Sequence, residues 1–429
     1  MLKSILTQIW NRKQNNSWIT IELVLVFCLI WYMTDYFFVL TYNYSIPNYR
    51  NIDHTFLIKL GKYDPDNSEY NEKEDEEKAK EANFERVLQT IQSYPGIESL
   101  SISFYGSVPE AGSYSGTICA NPNDTTAGYA DSMDKYINTN FDFFRVFGYT
   151  TNNGKKQVSM HDFDWSQPNG VVISSSIEQQ LYGKNSALGK EIKKGKELYK
   201  IVGVVDNTKR FDYQRPQHAI YTALPLSDYD TESTEIAVRS NSTYSDVIFR
   251  ENLEKELNSK FPIGNFYLKN ITSFKYISSQ TKTIFGMVYE IQIRIYLMLF
   301  FLVNIILCIV GTFWYRVNTR REEIGIRKAL GSSSSSIRNN LILEGLCLLT
   351  IATLPAMIIS YQFVHAGLIE TLGATRKNPT IYLPDRTFLR SLITNAITWI
   401  IIAAVVIAAV WLPARKAAAM EAAEALHYE

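Results

Sequence analysis

Of 429 residues only four are cysteine and five are histidine, and neither sign of charge dominates, with 43 Lys+Arg against 43 Asp+Glu. That balance removes the electrostatic case for a nucleic-acid partner. Cys28, Cys308 and Cys347 fall inside long apolar runs, leaving Cys119 alone in the polar remainder. No internal disulfide is expected there, so core packing must hold that part together. The histidines (His54, His161, His218, His365, His427) are scattered, and no His-Glu-x-x-His or paired-cysteine pattern for zinc occurs. GSYSG at 112–116 carries Tyr where a nucleophile elbow needs Ser. GKNSALGKE at 183–191 has the outline of a phosphate loop. However, five residues separate Gly183 from Gly189, and Glu191 stands where a magnesium-binding Ser or Thr belongs. HDFDW at 161–165 reads as an exposed loop, and the acidic run 64–81 lacks the spacing and central Gly of a calcium loop. No catalytic, cofactor-binding or metal-ligating residue is assigned.

What is abundant is apolar and clustered: 46% of residues are hydrophobic and 13% aromatic. Residues 18–40, 291–315, 341–364 and 388–412 are each apolar over about the 20 residues needed to cross a bilayer. The first run exceeds a signal-peptide core and no small-x-small site follows it, so it is expected to be retained. Trp18, Trp31, Tyr36, Trp314, Tyr315 and Trp411 sit at the run ends, as interfacial aromatics do. Three acids intrude, Glu22 and Asp35 near the ends of the first run and Glu344 one turn into the third. Near a span end, snorkelling or a neighbouring helix suffices for each. Pro355 is expected to kink the third run.

Orientation follows from the basic residues. Lys3, Arg12 and Lys13 precede the first run, and Arg415 and Lys416 follow the last. Arg316, Arg320, Arg321, Arg327, Lys328 and Arg338 lie between the second and third. All three groups fall on one side if both termini are cytoplasmic; Arg376, Lys377 and Arg386 in the short outer loop, 365–387, weaken the contrast. Residues 1–17 place Leu2, Ile5, Leu6, Ile9 and Trp10 at helical spacing, as an amphipathic helix on membrane lipid would. A large outer segment, 41–290, remains. It begins (about 50–104) and ends (about 226–271) with strand–helix–strand patterns, around a β-prone insertion at about 105–225. A helix at about 272–290 is expected to run into the second span. The expected fold is an α-helical four-span membrane protein with an α+β extracytoplasmic domain, a split βαβ subdomain plus a β-rich insertion.

The cytoplasmic segment 316–340 is the most informative. In RREEIGIRKALGSSSSSIRNNLILEG (320–345), Glu323 and Arg327 stand at i,i+4 in the favourable order, and Ile326, Ala329 and Leu330 share a face. Gly331 is placed to end that helix, and the serines at 332–336 to cap the next. A short amphipathic helix between two spans is expected to serve as a docking handle for a cytoplasmic partner, the alternative being an inert basic loop.

RREEIGIRKALGSS resembles the signature after the second span of ABC-transporter permeases of the MacB/FtsX family. WLPARKAAAMEAAEAL resembles the family's Pro-Ala-Arg segment, carried here by Pro413, Ala414 and Arg415, and LYGKNSALGKEIKKGKELYKIVGVV (181–205) resembles part of the MacB-like periplasmic core domain. The resemblance implies a bacterial inner-membrane permease with an FtsX-like permease domain, a porter-like subdomain and no fused ATPase. ATP would bind a separate cytoplasmic ABC ATPase subunit, docked on a coupling helix of Arg321, Glu323, Ile324, Gly325, Arg327, Lys328 and Gly331. A second permease chain, in a homo- or heterodimer, is implied, and in efflux members a periplasmic adaptor and outer-membrane channel. The expected function is ATP-driven export or extrusion of a drug, peptide or lipoprotein. Alternatives are an FtsX-like relay regulating a cell-wall hydrolase, and an ATP-independent receptor. The serine run and the residues at 421–423, where the family often has Pro, depart from the pattern.

Overall fold

The computed structural model describes residues 7, 9–10, 13–226, 230–241, 245–366 and 387–419. Their contacts divide the chain into Asn43–Phe285 and a second unit, Met1–Tyr42 with Gly286–Glu429. The first long helix, α1 (Lys13–Ser45), opens the latter.

Within Asn43–Phe285 the chain runs β1 (Thr55–Lys62), α2 (Glu77–Gln92), β2 (Ile97–Phe104), β3 (Ser115–Ala120), β4 (Tyr129–Ile137), α3 (Phe143–Val146), β5 (Gly170–Ser174) and α4 (Ser175–Tyr182). It continues through β6 (Glu191–Lys194), β7 (Glu197–Val205), β8 (Ala219–Ala223), β9 (Thr234–Ser240), α5 (Asp246–Lys260), β10 (Phe266–Ser273) and α6 (Phe274–Ile284). Four strands, in the order β10–β1–β9–β2 with every neighbour antiparallel, form an open sheet. β1 and β2 are thus parallel with β9 between them, the split βαβ arrangement. α2 buries Phe84, Val87, Leu88 and Ile91, and α5 buries Phe249, Leu253 and Leu257, each set at helical spacing. They meet Phe56, Ile58 and Leu60 of β1. Leu57 points to the other face, into a core of Phe143, Phe144, Phe147 and Phe274. Both faces of this sheet are covered: β1 accordingly runs Phe56, Leu57 and Ile58 without a polar break, while β2 alternates Leu100, Ile102 and Phe104 with the buried Ser101 and Ser103.

The other six strands close on themselves. β4 pairs in parallel with β8, and the pairing continues through β5, β7, β6 and β3 back to β4. The last two residues of β2 join β4 on the edge that β3 has left, so ring and open sheet are one ten-stranded sheet. The insertion is β-rich but includes two helices, α3 and α4; α4 sends Ile177 and Leu181 into a core with Cys119, Ile173, Ile192, Ile201 and Ile220.

The helix anticipated over about 272–290 is two. α6 stops at Ile284, Gly286 takes φ +76°, and the next helix, α7 (Met287–Thr319), starts afresh. Glycine adopts that left-handed conformation without the penalty a Cβ would bring, so the break falls there.

The second unit holds α1, α7, α8 (Arg321–Ala329), α9 (Ser334–His365) and α10 (Thr387–Ala419). α1, α7, α9 and α10 are long and apolar enough to cross a membrane. Their shared core takes Phe27, Ile30 and Trp31 from α1, Ile305, Ile309 and Phe313 from α7, Leu348 and Leu349 from α9, and Ile402, Val406 and Val410 from α10. The helix limits differ from those read off hydropathy. α1 begins at Lys13, so position 17 lies within a helix, and α10 continues through Pro413 to Ala419. α9 runs through Pro355 without a break in the helix. Most of the amphipathic N-terminal segment, the segment from 367 to 386 with its three basic residues, and 421–423 lie outside the described residues.

Candidate functional site

α8 follows α7 after a single residue, Arg320, which closes one helix and opens the next. Its N–H donates to the carbonyl of Arg316 at 3.1 Å, and its own carbonyl accepts from Ile324 N at 3.0 Å. Glu322 and Glu323 occupy the first turn and Arg327 and Lys328 the last, complementing the helix dipole. At the C-terminus Gly331, at φ +90°, donates to the Lys328 carbonyl at 2.9 Å, while Ser332 N reaches the Arg327 carbonyl at 2.9 Å. This is a Schellman cap, which satisfies carbonyls that the helix itself leaves open. Ser333 then caps α9, its hydroxyl accepting from Ser336 N at 3.2 Å.

The expected site residues divide by face. Ile324 and Gly325 are buried, and Ile324 joins the core beside Val317, Ile337, Ala414 and Ala417. Arg321 and Lys328 are half-buried, and Glu323, Arg327 and Gly331 are exposed. The apolar strip read from the sequence lies outward, with Ile326 50% and Leu330 82% exposed and Ala329 exposed beside them. α8 is therefore rooted through Ile324 and presents an uncovered apolar strip flanked by charges.

At its root lies a buried ionic node. The Glu344 carboxylate of α9 receives Arg316 Nη1 at 2.7 Å on one oxygen and Arg320 Nη1 at 2.8 Å on the other, with Arg320 Nη2 at 3.3 Å. The three residues are 8%, 9% and 4% exposed for Arg316, Arg320 and Glu344. Removing one partner of a buried pair typically costs about 3–5 kcal/mol, because the remaining charge is stranded. Beside it, a Cβ on Gly345 would meet Val406 Cγ1 at 3.0 Å and Phe313 Cζ at 3.3 Å, so α9, α10 and α7 approach closely at this level. Ser334 Oγ adds a hydrogen bond to the Ala418 carbonyl at 2.8 Å.

The other two intramembrane acids also have partners. Asp35 of α1 pairs with Arg390 of α10, whose Nε lies 2.8 Å away and whose Nη2 makes a second contact, and Trp31 Nε1 donates to Thr394 Oγ1 at 3.0 Å. Cys308 Sγ donates to Glu22 at 2.8 Å. The Glu344 node was missed as a node, although a signal existed. Arg316 and Arg320 are spaced i,i+4, which puts both guanidinia on one helix face.

The unit Asn43–Phe285 has buried charges of its own. Arg50 Nη2 lies 2.8 Å from Glu110, with side-chain exposures of 2% and 0%, and donates to the carbonyls of Lys209 and Arg210. Burial pushes the Glu110 carboxyl up, against the pull of Arg50. Glu235 accepts from Ser103 Oγ at 3.0 Å and from Gly106 N and Val108 N at 3.1 Å, pinning the turn after β2. Burial likewise raises its carboxyl, and it drives the Lys135 ammonium down to about 7 in spite of the nearby Glu235 charge. Among the described residues no group of three or more His, Cys, Asp or Glu side chains is placed to hold a metal ion.

Four membrane-length helices, an α+β domain inserted after the first, and a capped amphipathic helix between the second and third define a polytopic permease architecture. Residues 44–255 match the MacB-like periplasmic core domain, and residues 295–422, which include α8 and the Glu344 node, match the FtsX-like permease C-terminal domain. The chain is a permease of the MacB/FtsX family, the permease component of ABC transporters, and an inner-membrane protein. No curated protein matches it. Among solved structures, the extracellular domain of the noncanonic ABC-type transporter YknZ from Gram-positive bacteria is 14% identical, over 50% of this chain and 100% of that one, with a TM-score of 0.29. The periplasmic region of MacB from Actinobacillus actinomycetemcomitans is 17% identical, over 55% and 94%, with a TM-score of 0.31. A domain of a permease protein from Porphyromonas gingivalis is 13% identical, over 52% and 91%, with a TM-score of 0.32.

Proposed function

We propose that this permease docks a separate cytoplasmic ABC ATPase on α8 and passes its ATP-driven movement to the α+β domain, which does the work of export or extrusion. The observation that carries this reading is the outward strip of Ile326, Ala329 and Leu330 on a helix whose other face is rooted in the bundle. An apolar strip beside Glu323 and Arg327 suits a protein groove, whose partner would cover it on docking. The coupling residues are Arg321, Glu323, Ile324, Gly325, Arg327, Lys328 and Gly331, the exposed ones making contact and the buried ones holding the helix. Both termini face the cytoplasm, and a second permease chain completes the pair of ATPase docking sites. A drug, a peptide or a lipoprotein is the cargo, with an adaptor and an outer-membrane channel as further partners in the efflux case.

The deciding experiment is purification of the tagged full-length chain from native membranes in mild detergent, with the co-purifying proteins identified and ATP hydrolysis assayed. A stoichiometric Walker-motif subunit with turnover is the expected result. Recovery of intact permease without such a subunit under several gentle conditions would replace this reading with that of an ATP-independent receptor.

A further inference from the structure

Arg320 does two jobs at one position. Its backbone is the only residue between α7 and α8, and its side chain is held by Glu344 of α9. A pull on α8 therefore reaches Arg320 first, and two of its nitrogens grip a carboxylate that Arg316 also holds. Two-point contact between guanidinium and carboxylate fixes orientation as well as distance, so the joint resists both sliding and twisting. The next residue, Gly345, is where α9 packs closely against Val406 of α10, since an added Cβ would lie 3.0 Å from Val406 Cγ1. Close-packed helices transmit displacement rather than absorbing it.

We propose that Glu344 is a positioning residue that hands the movement of α8 to α9 and, through the Gly345 contact, to α10. Force then enters the bundle through the third and fourth spans as well as along α7. This rests on the reading of α8 as the docking helix. Without the node, α8 would keep its Ile324 packing and its short link to α9, but would lose the two-point grip that fixes its orientation against that helix.

The test uses the full-length chain with its co-purified ATPase in nanodiscs, with the four native cysteines replaced. One spin-label pair, Leu25→Cys with Leu354→Cys, reports α9 against α1 from two exposed positions; a second, Leu25→Cys with Glu322→Cys, reports α8. Distances are measured by pulsed electron resonance without nucleotide and with ATP and vanadate. In the parent chain both pairs are expected to shift. In Glu344→Gln, the α8 shift and ATP hydrolysis persist while the α9 shift falls about fivefold or more, and Glu344→Asp restores most of it. Arg320→Lys, which keeps the charge but loses the two-nitrogen grip, gives an intermediate α9 response and serves if Glu344→Gln does not fold. A full α9 shift in both Glu344→Gln and Arg320→Lys overturns the proposal, as does a full shift in whichever of them folds. A parent chain whose α8 ignores nucleotide instead defeats the docking reading itself, so the two failures are distinguishable.

Discussion

Arg50 is a residue whose weight no local pattern announces. It stands in a stretch without regular structure after α1, yet it meets Glu110, 60 positions on, and two carbonyls 159 and 160 positions on. Arg50→Ala strands a buried carboxyl, and thermal unfolding of the full chain is expected to report a loss of about 3–5 kcal/mol. Replacing both partners, Arg50→Met with Glu110→Met, should recover most of it, because apolar side chains carry no stranded charge. Lys135 makes a different prediction. Its folded value, about 7, lies below that of an exposed lysine, so the folded state binds fewer protons than the unfolded state between about 7 and 10.4. Stability from this residue rises with pH across that window. Relative to Lys135→Met, the parent chain should therefore gain unfolding temperature between pH 7 and pH 9; equal slopes would show that Lys135 is not held neutral. Such long-range pairs were not legible in the sequence, since both partners read as ordinary surface charges until the strands are paired.

At the scale of the element, α8 was the most legible part of the molecule. Its acidic start, basic end and Gly331 stop are local signals, and the structure places the helix between them. Which side turns inward was not legible, because that depends on where α7, α9 and α10 end. The sequence groups Ile326 with Ala329 and Leu330 on an apolar face, yet Ile326 is 50% exposed and Ile324, off that face, only 7%. The double change Ile326→Asp with Leu330→Asp is therefore expected to leave unfolding unaffected while recovery of the ATPase falls about tenfold or more, as at an interface centre. Ile324→Asp should instead destabilise the bundle by burying a charge. Gly325→Pro removes a hydrogen bond and clashes with the preceding turn, costing about 3 kcal/mol in a helix interior. Full ATP-dependent transport by that variant would contradict the role given to α8. The break at Gly286 was missed for the complementary reason, that a lone glycine between two helical patterns gives only a weak stop signal.

For the whole molecule, the four spans were plain as long apolar runs, and the two strand–helix–strand ends of the segment between the first two were plain from their periodicity. The closure of β4 on β8 was not, because it joins residues some ninety positions apart and periodicity carries no information about pairing partners. The arrangement about the membrane is open to direct measurement in sealed, oriented vesicles. A cysteine introduced at exposed Ser335 on the α9 side of the loop should react with an impermeant maleimide from the opposite face to one introduced at exposed Lys184, and labelling of both from one face would overturn the proposed topology.

Closing six of ten strands into a ring leaves β10 as an open flank of this sheet. On that flank the register against β1 slips by a residue between Lys59 and Leu60, and the unmatched residue is Lys269, exposed and charged. A bulge and a lysine on an edge strand both discourage further strands from adding. Membrane proteins diffuse in two dimensions beside copies of themselves, and an unguarded edge would invite one domain to pair with the next. With that flank kinked and charged, this domain is built to sit beside its own kind without sharing a sheet.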